Sequence, residues 1–511
     1  MSLARKILGN TFIQFGGKLA TAALSIISLK IITGYLGENG YGDYTLIYNY
    51  LALFGVMANF GIFTITVKEM SAKKADHAMI LGNALGLRTI LTLIAMGLAI
   101  GVTFLFPKYQ EGVIPIGTAI AAFSTFITLM SSTVSTVLQV NLKMKYETLG
   151  LILGKILSLG YMAMVVYVWF AGDKIQGFYH LMWAGVIGNF IMLAITTFFA
   201  RRYTKISYRF DFSFWKKLFT TALPYGVALV LGNLYFRIDV ILLDWLLPQG
   251  QLLADGTVEC AYEFCSQSQV GLYGVGMRFL ELLIIIPIYF MNAVLPTMTR
   301  YLEESKQRVR QLVQYAFDFL SSLGLPIMVG GILLATPLIL LISNADFLAG
   351  EVYAFGSESA LKVLMFAMIF SFLGNLFGFV LVGINEQKKL MWINFTGLAF
   401  NIVANIFAIR QWGFMGAAAT SVLSEIVILI FSWYYAAKSL EMKINFNTVG
   451  KSFLSALVMG GGVWSVYQLL LGNHFLIQLG ILVPLGALIY GGMIWVTKAI
   501  TPEMWQLLRK K

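Results

Sequence analysis

The stretch LPYGVALVLGNLYFRIDVILLDWLL, from Leu223 to Leu247, is followed after a polar loop by QVGLYGVGMRFLELLIIIPIYFMNAVLP, from Gln269 to Pro296. Each is long and apolar enough to cross a bilayer as a helix, for which about 20 such residues suffice. Yet the two carry Arg237, Asp239, Asp244, Arg278 and Glu281. A charged side chain in hydrocarbon is costly unless it pairs or lines a watery cavity, so these residues are functional candidates. The rest of the chain has to explain what they face.

Composition extends the membrane reading to the whole sequence. Of 511 residues, 59% are apolar and 12% charged, with a mean hydropathy of +0.79. That is too apolar for a soluble protein of this size. The net charge of +12 comes from short basic clusters between apolar runs, a pattern that argues against a nucleic-acid partner. The apolar run after Arg5 and Lys6 is too long for a signal-peptide core and lacks a small-residue cleavage site, so it is expected to remain as a first helix. Cys260 and Cys265 share one polar loop, where they form either a small disulfide or two free thiols.

Apolar runs predict fourteen spans, near 10–34, 44–67, 80–106, 114–140, 146–170, 178–200, 219–247, 269–297, 315–342, 360–384, 390–409, 414–436, 452–471 and 477–497. Loop charge tests this independently. Of the 36 Lys and Arg, seven fall inside spans and three (Lys108, Lys174 and Arg410) in the expected outer loops, so the other 26 lie in the expected inner segments. Cytoplasmic loops carry such an excess, which implies an even number of spans with both termini inside. The expected location is the inner, cytoplasmic membrane.

The most basic inner segment, 201–217, follows the sixth span and reads as a linker. Around it the motif Gly40 to Leu53 has a counterpart at Gln269 to Leu282, with Gly42 matching Gly271, Tyr44 matching Tyr273 and Asn49 matching Arg278. Such similarity after six spans favours an internal duplication. The expected fold is an all-α polytopic membrane protein of 14 transmembrane helices, two pseudo-symmetric six-helix bundles plus two C-terminal helices. Its divisions are an N-terminal lobe 1–200, the linker 201–217, a C-terminal lobe 218–436, and a final helix pair with tail 437–511.

Particular residues now carry a family likeness: Asn10-Thr11, the run Leu36-Gly-Glu-Asn-Gly-Tyr-Gly-Asp-Tyr44, Asn59-Phe60-Gly61-Ile62, and Lys68-Glu69 at a helix exit. With these motifs and its span layout, the chain resembles the polysaccharide (O-antigen and teichoic acid type) flippases of the multidrug/oligosaccharidyl-lipid/polysaccharide exporter superfamily. The resemblance implies two six-helix bundles around a central cavity, and alternating-access movement of a polyprenyl-pyrophosphate-linked glycan from inner to outer leaflet. It also implies work alongside glycan polymerase and glycosyltransferase machinery. The drug-exporting relatives have twelve spans, so the final pair leans toward the lipid-linked glycan branch.

Seven cations lie within spans: Lys18, Lys30, Arg88, Lys155, Arg237, Arg278 and Lys362. At about 1.5 Å per residue, Lys18, Arg88 and Lys155 sit roughly 12 Å from the inner ends of their spans. Arg237 and Arg278 sit roughly 13 to 15 Å from the outer ends, so five helices bring a cation to one central layer. Lys30 and Lys362 lie closer to the outer ends, where a long stem can snorkel to water. Lys30 is kept with Lys18, Arg88, Lys155, Arg237 and Arg278 as a candidate substrate-binding residue. Arg and Lys can replace the lost hydration of a pyrophosphate with charge-assisted hydrogen bonds. Arg278 has a plainer alternative, an intrahelical pair with Glu281. Asp239, Glu281 and Glu425 are candidates for coupling to H+ or Na+, and Asp239 has the alternative of pairing with Arg278.

No cofactor or metal is expected, because the three His are scattered and no nucleotide-sugar, metal or nucleophile constellation is present. This weighs against a membrane glycosyltransferase or polymerase. A cation-coupled exporter of small cationic compounds remains a second alternative, one that predicts a cavity dominated by carboxylates.

Overall fold

The computed structural model describes residues 3–72, 75–110, 112–252, 258–259, 265–350 and 353–499. Lys73, Lys74, Asp255, Cys260, Glu263 and the Arg509 to Lys511 tail lie outside the described residues. Apart from a two-stranded ribbon pairing Gln251–Leu252 with Val258–Glu259, the regular structure of the described residues is helical. Eleven of these helices are long and apolar enough to cross a membrane.

The first, α1, runs Leu3–Asn59, and its 57 residues would reach about 85 Å if straight, against a hydrocarbon core of about 30 Å. It is broken by Gly37, at φ 66° and ψ −174°, a conformation open to glycine because no Cβ clashes there. A loop was expected between the first two spans; the structure has a bend of one residue, and the helix resumes at once. A bend this short leaves few backbone groups unpaired. The second expected span is itself interrupted, because Phe60 (φ 34°) and Gly61 (φ 71°) separate α1 from α2, Ile62–Met70.

Next come α3, His77–Leu105; α4, Ile114–Val140; and α5, Lys145–Met164, which ends in a π-helical turn at Val165–Trp169. They are followed by α6, Lys174–Ala200, and α7, Phe212–Leu246. Aspartates cap three of these starts: Asp76 accepts from Met79 N at 3.0 Å, Asp173 from Gln176 N at 3.0 Å, and Asp211 from Ser213 N and Phe214 N. Each satisfies amide groups that the first helical turn leaves open.

Then follow α8, Ser266–Glu304; α9, Lys306–Leu333; α10, Ala335–Ile342; α11, Ser357–Gly383; α12, Gln387–Leu440; α13, Asn447–Leu469; and α14, Phe475–Thr497. The span expected at 315–342 is divided between α9 and α10. Pro337 lacks an N–H and its ring conflicts with the carbonyl four residues earlier, at Leu333, where α9 stops. α12 repeats the device of α1: 54 residues bent at Gly413, φ 53°. Both of these internal kinks thus fall at glycines.

The chain forms two compact units, Met1–Gly271 and Leu272–Lys511. In the first, α7 packs on α1, α2 and α3, so this unit continues beyond the 201–217 linker. In the second, α9 packs on α11 and α13, α11 on α12, and α14 on α13 and α10.

Candidate functional site

In the first unit, the arm of α1 beyond Gly37 meets α7. Arg237 donates from Nη1 to Asn49 Oδ1 at 2.8 Å, while Asn49 Nδ2 donates to the Thr45 carbonyl at 2.9 Å. The asparagine is buried and joins the guanidinium to a second helix. Sequence reasoning aligned Asn49 with Arg278 but did not foresee this partnership; its signal was a lone amide in an apolar helix. Asp239, two residues along α7, is buried.

Arg88 on α3 is only 1% exposed. Its Nη1 donates to Thr133 Oγ1 on α4 at 3.0 Å and its Nη2 to Asn59 Oδ1 at 2.7 Å, where α1 ends. The side chain braces three helices, including the break at Phe60–Gly61. Depth along a span had grouped it with the other central cations; its surroundings set it apart.

Lys18, on the first arm of α1, is exposed and interacts electrostatically with Glu147 in the first turn of α5. Lys155, two turns further along α5, and Lys30 on α1 are half-buried. Near the other end of α7, Asp244 is buried and takes Lys108 at 3.2 Å together with a hydrogen bond from the Tyr109 hydroxyl. Tyr109 lies in the short turn between α3 and α4; burial first, and then the charge of Asp244, push its hydroxyl above the ordinary phenol range. It therefore stays a proton donor to the carboxylate.

In the second unit, Arg278 Nη1 and Glu281 Oε2 on α8 are 2.7 Å apart, and both side chains remain about 30% exposed. The spacing of three residues puts them on one helix face, as expected. Within the first unit Gly271 is packed against α1: a Cβ there would stand 2.0 Å from the Glu38 carbonyl oxygen. Asp239 and Arg278, considered as a pair from sequence, belong to different units.

Glu425 is buried on α12, its carboxylate 3.9 Å from where a Cβ would lie on Gly374 of α11. Around its helix runs a polar network that sequence reasoning missed. Asn405 Nδ2 donates to Asn401 Oδ1 at 3.0 Å, Thr420 Oγ1 to Asn405 Oδ1 at 2.5 Å, and Ser421 shares a hydrogen bond with Tyr273 on α8 at 3.1 Å. Two asparagines one turn apart in an apolar span were the available signal. Buried amides and hydroxyls of this kind persist only when they partner one another or a ligand.

Residues 7–302 match the family described as "Polysaccharide biosynthesis protein". The chain belongs to that family. Residues 265–484 also match the family described as "Lipid II flippase MurJ". The two matches overlap on α8, the helix with the Arg278 and Glu281 pair. A curated relative, the "Probable low-salt glycan biosynthesis flippase Agl15" of Haloferax volcanii, is 20% identical over 228 residues, 44% of this chain and 47% of that protein. The chain thus spans about half the length of that relative. In fold the chain is similar to a lipid II flippase MurJ in an inward closed conformation, with TM-score 0.71, 14% identity, and coverage of 96% of this chain and 98% of the other. It is also similar to an inward-facing multidrug resistance MATE family transporter, with TM-score 0.64, 15% identity, and coverage of 82% and 94%.

Proposed function

We propose that this protein is a flippase for a polyprenyl-pyrophosphate-linked oligosaccharide, moving it from the inner to the outer leaflet by alternating access. The observation that carries the reading is the meeting of two family matches on α8, where Arg278 keeps about a third of its surface accessible inside a helix long enough to span the membrane. The relatives' own names, flippases of lipid II and of a glycan pathway, support a lipid-linked glycan as cargo.

In this proposal fourteen spans cross the membrane: α1 and α12 each count twice across their glycine bends, and α7 joins the other apolar helices. Both termini face the cytoplasm. The disulfide at Cys265 supports an oxidising outer side for its loop. Arg278 is the candidate cation for the pyrophosphate in the second unit, Arg237, Lys18, Lys155 and Lys30 are the candidates in the first, and Arg88 braces α1, α3 and α4. Asp239, Glu281 or Glu425 carries the coupling H+ or Na+, and glycan polymerase or glycosyltransferase machinery handles the glycan on either side of the step.

The test is translocation of a fluorescent polyprenyl-pyrophosphate oligosaccharide in proteoliposomes containing the full chain. Wild type is expected to expose the label in the opposite leaflet, and Arg278→Ala, inserted at equal level, to lose most of that activity. Undiminished transport by the variant would remove Arg278 from the site. No transport by wild type, with retained export of organic cations, would favour a multidrug exporter instead.

A further inference from the structure

The linker between α6 and α7 is more than a tether. Between Ala200, where one helix ends, and Phe212, where the next begins, residues 205–211 form an irregular strap laid along α3. Arg209 N donates to the Gly82 carbonyl at 3.1 Å and Asp211 N to Asn83 Oδ1 at 2.9 Å. The seat depends on two glycines: a Cβ on Gly82 would stand 2.5 Å from the Ser207 carbonyl oxygen, and one on Gly86 2.4 Å from that of Arg209. These neighbours are backbone and cannot rotate away, so the strap is fixed in register on α3.

With its main chain held down, the strap leaves its side chains from Tyr208 to Phe212 exposed. Tyr208, Phe210 and Phe212 are 51%, 57% and 73% exposed, the spacing of two expected on one side of an extended chain. Tyr208 and Phe210 stack at 6.4 Å between centroids, and Phe210 and Phe212 both lean on the buried Trp215. Exposed Arg201, Arg202, Lys205, Arg209, Lys216 and Lys217 surround this row. The one acid of the segment, Asp211, is engaged as the cap of α7.

We infer that residues 201–217 form a docking surface for anionic phospholipid headgroups. Its position is set by connectivity, since it joins the adjacent ends of two apolar helices, where a bilayer's headgroup layer lies. Exposed aromatic rings are costly in water and favoured at that layer, where an apolar body and a polar edge are both accommodated. The cations then meet lipid phosphates, and a juxtamembrane cluster of four to eight Lys or Arg binds anionic lipid on this principle. The inference does not rest on the transport reading. It assigns the strap a second task, holding the inner ends of α3 and α7 at a fixed depth through a lipid contact.

The test places a fluorophore on Ser213→Cys in the full chain, reconstituted in phosphatidylcholine nanodiscs containing a minor fraction of brominated phosphatidylglycerol or the same fraction of brominated phosphatidylcholine. The expected result is quenching several-fold stronger with the brominated phosphatidylglycerol. Replacing Lys205, Arg209 and Lys216 by Gln should erase that preference, and replacing Tyr208, Phe210 and Phe212 by Ser should weaken quenching by both lipids. Equal quenching of the unaltered strap by the two lipids would overturn the inference. So would displacement of the signal by inorganic phosphate beyond that caused by chloride of equal ionic strength, because the surface would then recognise a soluble anion. These are surface substitutions, and unchanged thermal unfolding confirms that a lost preference is not lost folding.

Discussion

Arg88 and Arg278 occupy similar depths along their helices and live in opposite circumstances. Arg88 is almost completely enclosed and answered by neutral oxygens of Thr133 and Asn59. Arg278 is answered by a carboxylate one turn away, and both members of the pair stay about a third open. An enclosed cation among neutral acceptors stabilises the packing that encloses it. A half-open ion pair has traded some of that stabilisation for access, and its charge can be taken over by another anion.

The strongest challenge to this contrast is Arg88→Ala. Removing the guanidinium leaves the buried Thr133 and the half-buried Asn59 without this donor beside the Phe60–Gly61 break, and a loss of about 2 to 4 kcal/mol is expected. It would be measured as a fall in the unfolding midpoint of purified protein. A midpoint equal to wild type would place Arg88 with the accessible cations after all.

Next comes Arg278→Ala, for which translocation should drop about tenfold or more with little change in that midpoint, because the partner left behind can still reach water. If stability fell as far as in the Arg88 variant, the α8 pair would be a structural brace. Glu281→Gln separates the partners further: it keeps the shape of the side chain and removes its charge, so cargo binding should persist while any dependence of transport on a pH or Na+ gradient weakens. Transport that keeps its full gradient dependence would exclude Glu281 as the coupling group.

A smaller effect is expected where the two circumstances blend. Asn49→Ala withdraws the partner of Arg237, and a double-mutant cycle between them should show coupling of about 1 kcal/mol. Additive effects would mean that the contact between α1 and α7 is incidental. The least change is expected from Lys18→Gln, since an exposed lysine facing Glu147 is screened by salt; stability should match wild type at 0.5 M NaCl.

Much of this organisation was legible in the order of residues. Hydropathy is a sum over neighbours along the chain, so the apolar spans of α3, α4, α6 and α11 agree with the structure to within a few residues, and the spacing of Arg278 and Glu281 announces their pairing. The bends were less legible: Gly37 and Gly413 kink α1 and α12 from within, because one glycine can redirect a helix with little loss of backbone pairing. Asn401 and Asn405 passed unnoticed, since amides carry no formal charge and hardly disturb a hydropathy window.

By itself, then, the sequence determined that this is a helical membrane protein, where its helices run, and which of them bear charge. Tertiary structure decided what each charge can do. Arg88 finds Asn59 across 29 residues and Arg237 finds Asn49 across 188. Partners that far apart are chosen by packing, and packing also determines whether water or a ligand can reach the group. The same holds for the linker: its basic and aromatic residues can be read directly, but only their seating on Gly82 and Gly86 turns Tyr208, Phe210 and Phe212 outward together.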